Sequence, residues 1–485
     1  MIVWTFLRHF KNYNYQLNGL IPPRRVLNRK TALIKTPDCS HGRFSRLLRK
    51  HARPLFRPAM TESLMRPVAS PVRLDGLLPV QVAGRLRHLD GLVFFDTAGN
   101  LPSSSSRPIS VIAANPTQIL RGNIHVPADF KILHAALANG PRLAGDYGFP
   151  VGGLCGWVEY EGDFVFGDYP EMLVYSHRDA AWWEIGNLSS QLRDTQDTSS
   201  SAQISSFTPL TSRRKFTSHV ARIKEWIAAG HIYQANLSQA FAATVSGDLF
   251  SLYETLRDAS PAPLAAYLKL DGREILSSSP ETFLKICGRG IETRPIKGTR
   301  PRFADPDEDR RSAYELQTSP KEIAELVMIT DLLRNDLGQV CEFGSVEVTA
   351  MLQLETLAQV HHLVSTVIGT LRPETDALAA IAACFPGGSI TGAPKKRAME
   401  IIRELEQAPR GIYCGAIGWL GYNGESSFNI AIRTLVRDGD RLVYQVGAGI
   451  VADSDPEKEY EETLHKAAGI RLAIGRWQNQ TTPAP

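Results

Sequence analysis

The chain has 485 residues, 43% hydrophobic and 21% charged, a composition that suits a globular protein with several cores or one layered core and excludes fibrous, coiled-coil and disordered classes. Its net charge of +4 misleads, because residues 1–59 hold 13 Lys or Arg against a single acid, Asp38, and the rest carries 41 basic and 49 acidic side chains, net −8. That acidic body gives no case for nucleic acid, and six scattered cysteines without a C-x-x-C pair suggest neither a zinc site nor a disulfide framework.

In chain order, residues 1–59 read as a basic N-terminal extension that is disordered or lies upstream of a true start at Met60, with an organellar transit peptide as the alternative. Residues 60–186 form an N-terminal part in which 92–96 and 109–113 read as strands and 128–140 as a helix. There 151–158 reads as a strand whose glycines allow close backbone packing. Residues 187–213, rich in Ser, Thr, Gln and Asp, read as a linker or surface loop that marks a boundary. The region 214–476 opens with a helix striped by Phe216, Val220, Ile223 and Ile227. It then mixes short strands and helices without a βαβ rhythm, which predicts an α+β fold; residues 477–485 read as a tail. No apolar run reaches the ~18 residues of a membrane span, so no membrane is expected and the expected setting is the cytoplasm.

Several motifs carry chemistry. Lys297 follows Pro295, which fixes the backbone, and precedes Gly298, which lets it turn sharply. An amine held in this way is a candidate nucleophile, and it must be neutral to act, which calls for burial or a nearby cation. Ser319-Pro320-Lys321-Glu322 opens a helix with a Ser cap and Pro at the first position, and Glu322 and Glu325 share its face. A second helix beginning at Asp455-Pro456 carries Glu459 and Glu462 at the same spacing. Four carboxylates brought together repel, and Mg²⁺ is the usual remedy, with Glu325 and Glu462 ranked as direct ligands. The run Pro386 to Lys396 fails the spacing of a phosphate loop, yet its glycines lead into a helix start whose free N–H groups suit an anion. Gly447-Ala448-Gly449 follows a strand and lets a backbone close on a carboxylate. Arg433 interrupts an apolar strand, where a carboxylate clamp explains the charge. Of His361 and His362, neighbours on a strand, one faces a pocket.

Together these segments resemble the chorismate-utilising enzymes, a family that includes anthranilate, isochorismate, salicylate and aminodeoxychorismate synthases. The match spans about 85–472 and is densest in Ile232 to Gln239, Ser279-Pro280-Glu281, Pro295 to Thr299, Asp331 to Asp336, Gly387 to Lys395 and Gly447 to Gly449. The resemblance implies a fold of two large packed β-sheets with helices on the outside. It also implies Glu281 as the general acid that protonates the departing C4 hydroxyl, and Mg²⁺ held by Glu325 and Glu462 with Glu322 and Glu459 behind them. Tyr413, Arg433, Gly447 and Gly449 are implied to bind substrate carboxylates, and His362 and Ser389 to line the pocket. Gln234 stands where the isochorismate and salicylate synthases carry a water-activating lysine, which argues against water as nucleophile.

Lys297 stands where anthranilate synthases carry alanine and where aminodeoxychorismate synthases typically carry lysine. The resemblance thus implies amination of chorismate at C4 through a lysine-linked intermediate, toward 4-aminobenzoate and folate. Anthranilate synthase component I is the alternative enzyme, and a non-catalytic regulatory paralogue the alternative of another class. His231 and Leu326 depart from the family pattern beside the site. No glutamine-hydrolysing Cys-His-Glu segment is read in the sequence, so ammonia is expected from a separate glutamine amidotransferase subunit or from solution.

Overall fold

The computed structural model describes residues 69–74, 76–98, 108–140, 147–194, 202–357 and 359–481; the basic extension read at 1–59 lies outside them. The described strands assemble into a 13-stranded and a 10-stranded sheet. Strands such as Gly153–Val158 and Ala416–Gly421 are buried at every residue, because the other sheet covers one face and helices or loops the other. Their facing sides share a core in which Val93, Val111 and Ile275 of the larger sheet meet Cys155, Trp157 and Ile417 of the smaller. Helices Phe250–Ala259 and Ala468–Thr481 pack outside the larger sheet through Leu252, Leu256, Ile470 and Trp477. The helix Ala377–Cys384 does the same for the smaller sheet through Leu378 and Ile381. Two large packed sheets with helices outside is the expected α+β architecture.

Two sequence expectations give way here. The stretch 187–213 separates no domains: strand Val93–Asp96 before it pairs with Leu264–Leu270 after it, and Gly153–Val158 pairs with Ala416–Gly421. Among its described residues, Gln203–Ile204 and Thr208–Pro209 add short rungs to the strand Gln234–Ser246. Residues 477–481 are no tail either, since the last helix runs to Thr481 and Trp477 is 1% exposed. Burying a side chain of that size contributes roughly 2–3 kcal/mol, and its indole N–H donates to Ser251 Oγ at 3.0 Å.

The elements that build the site follow in order: β1 (Gln234–Ser246), β2 (Arg273–Ser279), β3 (Thr282–Cys287), β4 (Ile296–Pro301), α1 (Pro320–Gly338), β5 (Val360–Thr370), α2 (Lys395–Glu406), β6 (Ser426–Ile430), β7 (Thr434–Asp438), β8 (Arg441–Ile450) and α3 (Pro456–Lys466). β1, β2, β7 and β8 belong to the larger sheet, and β3, β4, β5 and β6 to the smaller. Two of the chain's passages between the sheets matter for the site, from β2 to β3 and from β6 to β7. The crossings lie side by side, because Thr282 pairs with Asn429 and Ser277 with Thr434.

Candidate active site

The first crossing carries Glu281 and the second Arg433. Ile430 N–H donates to the Glu281 carbonyl, and Ser278 N–H to the Arg433 carbonyl, each at 3.0 Å. Arg433 lies on no strand, contrary to the sequence reading. It occupies the link between β6 and β7 with φ +51°, a left-handed conformation costly for a non-glycine residue. The apolar runs on either side belong to two different sheets, which sequence periodicity reads as one strand. Burial pushes the Arg433 guanidinium down from its ordinary range, and Glu281 opposes that shift.

Glu281 is 4% exposed, and its Oε1 is buried without a hydrogen-bond partner. Burial raises its carboxyl above the usual range, against the pull of Ser389, Lys297, the Ile296 N–H and Arg433. A carboxyl that resists ionisation is suited to giving up a proton on demand. Ser389, in the short turn Gly388–Ile390, is likewise buried with its hydroxyl unpartnered. The glycine-rich run does not present a bare helix start. Gly392 and Ala393 pair with Ala235 and Gln234, and Lys395 donates to Asp336 at 2.7 Å and to the Cys384 carbonyl at 3.0 Å.

Opposite these groups, β8 pairs with β1 from Ala235–Ile450 to Thr244–Arg441. A Cβ on Gly447 would stand 2.8 Å from the Tyr413 hydroxyl, and one on Gly449 would collide with the Gln234 amide and approach Lys297 Nζ to 3.8 Å. The Leu237 carbonyl and Tyr413 hydroxyl at Gly447 and the Gln234 amide at Gly449 thus crowd the bare backbone of β8, while Lys297 stands at ordinary contact distance. Gln234 is 1% exposed, and its Oε1 lacks a protein partner.

Lys297 sits on β4, opposite Leu363, just before a register shift at Gly298 with φ +76°. The expected turn after the lysine is therefore a bulge inside a strand pair. The side chain is 17% exposed, and its Nζ is 3.8 Å from Glu325 Oε2. Its charged neighbours include Glu281, Glu325 and Glu462, so carboxylates surround the amine where a nearby cation was one of two expectations. His362 is 2% exposed and shares Thr299 Oγ1 at 3.0 Å through Nδ1, while Nε2 has no partner. Burial and then Arg433 push its imidazole down to about 3, so it is neutral at ordinary pH. With Pro280, Thr282 and Ile296 it lines a cavity of about 350 Å³ between the sheets. His361 points elsewhere, sharing Asp309 Oδ1 at 3.0 Å.

The expected cap of α1 is present: Ser319 Oγ accepts from Glu322 N–H and Pro320 takes the first position. The four carboxylates of α1 and α3 each face a cation, Glu322 with Arg300 at 3.9 Å, Glu325 with Lys297 at 3.8 Å, Glu459 with Lys321 at 3.8 Å and Glu462 with Lys466 at 2.8 Å. Burial raises Glu325 and Glu459, whereas at Glu462 burial is outweighed by Lys466, Lys321 and Lys297 and the carboxyl is lowered. Among the described residues no three acidic, His or Cys side chains converge to hold a metal. The all-carboxylate donors suit a hard cation and Glu459 Oε2 is buried and unpartnered, so the set fits Mg²⁺ in chemistry while its positions answer to lysine and arginine.

Sequence reasoning missed Arg410 and Glu406, which stand behind Tyr413. The only sequence signal was an arginine three residues before that tyrosine, and after a helix such a residue reads as solvent-facing.

A family model described as "chorismate binding enzyme" matches residues 154–471. The chain is 41% identical over 341 residues to anthranilate synthase component 1 of Methanothermobacter thermautotrophicus, covering 66% of this chain and 73% of that one. It is 39% identical over 339 residues to aminodeoxychorismate synthase component 1 of Bacillus subtilis, covering 66% and 72%. Among solved structures, anthranilate synthase component I of Streptococcus pneumoniae superposes with a TM-score of 0.66 at 27% identity over 84% of this chain and all of that one. The menaquinone-specific isochorismate synthase MenF of Escherichia coli, at 17% identity over 84% of this chain and 94% of that one, shares the fold with a TM-score of 0.67.

Proposed function

Since the chain belongs to the chorismate-binding enzyme family, we propose that it is the synthase component of an aminodeoxychorismate synthase, which replaces the C4 hydroxyl of chorismate with an amino group. One observation carries this reading: Lys297 places a primary amine 3.8 Å from where a side chain on Gly449 would begin, between the Gly447–Gly449 backbone and Glu281.

In this reading the bare β8 backbone, Tyr413 and Arg433 bind the substrate carboxylates, and Gln234, Ser389 and His362 close the pocket. The Lys297 ammonium sheds a proton, with Glu325 standing 3.8 Å away, and its nitrogen bonds to C2. The two ring double bonds shift, and the C4 hydroxyl leaves as water with the Glu281 proton. Ammonia then bonds to C4, the double bonds return and the lysine nitrogen leaves. The balance is chorismate plus ammonia to 4-amino-4-deoxychorismate plus water. Glu325 and Glu462, with Glu322 and Glu459 behind them, would hold Mg²⁺, which when bound supplies a Lewis acid. The two relatives carry "component 1" in their names, which supports a separate amidotransferase subunit as the source of ammonia.

Anthranilate synthase is the second reading, because relatives of both names match this chain at similar identity. Incubation with chorismate, MgCl₂ and an ammonium salt separates the two. We expect 4-amino-4-deoxychorismate without release of pyruvate; anthranilate with stoichiometric pyruvate would establish the second reading instead.

A further inference from the structure

We propose that Arg410, with its partner Glu406, is a positioning residue that fixes the substrate-carboxylate groups of the site from behind. The guanidinium is buried, its side chain 1% exposed, although it carries a permanent charge. Nε donates to Glu406 Oε2 and Nη2 to Glu406 Oε1, both at 2.8 Å. Two more of its N–H groups reach backbone carbonyls. Nη1 reaches the Ile390 carbonyl at 3.1 Å and Nη2 the Asn236 carbonyl at 2.5 Å. The plane also lies over two rings, 4.6 Å from the centroid of Tyr160 and 5.8 Å from that of Tyr413.

Each partner leads to a different wall of the site. Ile390 adjoins Ser389, and Asn236 pairs with Gly449 across β1 and β8. Glu406 Oε1 accepts from both the N–H and the hydroxyl of Ser238, at 2.8 and 2.9 Å, and Ser238 pairs with Gly447. Tyr413 is touched directly. One side chain therefore ties together the turn bearing Ser389, the strand opposite Gly447 and Gly449, and the tyrosine between them.

Burying a charge is costly unless its hydrogen bonds are met, and here four donor–acceptor contacts meet the guanidinium. A structural ion pair needs only its carboxylate; the two carbonyls and the Tyr413 ring belong to three separate segments, each of which carries or adjoins a proposed substrate-binding group. On its far side Arg410 walls a cavity of about 560 Å³ lined by Lys215, His219 and Gln445, so the same residue separates the carboxylate groups from that space. A lysine there would keep the charge and lose the planar fork.

The inference rests on the proposed binding of chorismate at Tyr413, Gly447 and Gly449. Arg410→Lys and the near-isosteric Glu406→Gln test it, the second because it keeps the guanidinium and a carbonyl oxygen to accept from it, with thermal melts confirming the fold. In the folded variants we expect Kd and KM for chorismate to rise at least about tenfold while kcat at saturation changes less than about threefold. A merely structural role would lower kcat in proportion to the folded fraction and leave KM alone, and that result, or unchanged affinity in both variants, overturns the inference. Wild-type protein that fails to bind chorismate overturns the functional reading, and the positioning role with it.

Discussion

Around these two crossings between sheets, backbone fixes the groups proposed to react: Glu281 and Arg433 sit on links whose carbonyls accept from strand residues Ile430 and Ser278, and Gly447 and Gly449 are shaped by what lies against them. Across the site, the carboxylates of α1 and α3 are held by side-chain cations at 2.8 to 3.9 Å, several of them partly exposed. Groups of the first kind are preorganised, and their free energy is set at folding. Groups of the second kind can exchange partners, because half-exposed ion pairs are worth at most about 1 kcal/mol each. In the proposed function the site thus joins a rigid acid and carboxylate clamp to an adjustable acidic wall, as an enzyme needs if a cation is to enter that wall.

The largest effect should come from breaking the rigid side. Glu281→Gln removes the proposed proton donor in a near-isosteric exchange, so kcat should fall by about 10²–10⁴ while chorismate binding, measured by equilibrium titration, stays within about threefold. A fall in affinity with kcat preserved would make Glu281 a binding group instead.

His362 gives an intermediate effect, read as stability against pH. Its folded imidazole is pushed down to about 3, while the unfolded one titrates near the ordinary 6.5. Between those values the unfolded chain binds the proton that the folded one refuses, so His362 lowers stability as pH falls from about 6.5 toward 3, by up to about 1.4 kcal/mol per pH unit. Denaturant melts of His362→Gln should lack that part of the slope, and parallel curves would show that the imidazole is already charged.

The smallest effect belongs to the adjustable side. Lys321→Met should cost less than about 1 kcal/mol of stability and should enlarge the rise in Tm produced by MgCl₂, since a competing cation is gone. An identical response in both proteins would mean that Lys321 and a divalent ion do not compete.

What was legible in the sequence was local. The cap of α1, the paired glutamates, the bare Gly447 and Gly449 and the lysine held beside Gly298 depend on neighbours a few residues away, and the structure brings them to one place. What was not legible depends on topology. Arg433 looked like a strand residue because β6 and β7 run on with hardly a break, although they belong to different sheets. The 187–213 stretch looked like a boundary because polar surface rungs and true linkers share a composition, and Trp477 looked peripheral because its partners lie some 200 residues earlier in the sequence. Arg410 was invisible for much the same reason: apart from Glu406 four residues before it, its partners Asn236, Ile390 and the Tyr160 ring come from other segments.

The central claim is that Lys297 bonds to the substrate. Intact-protein mass spectrometry after incubation with chorismate and MgCl₂, without ammonia, tests it most directly. The account predicts a chorismate-derived adduct on the wild-type chain that is absent from Lys297→Ala, although that variant still binds chorismate. An adduct of undiminished yield in Lys297→Ala would contradict it.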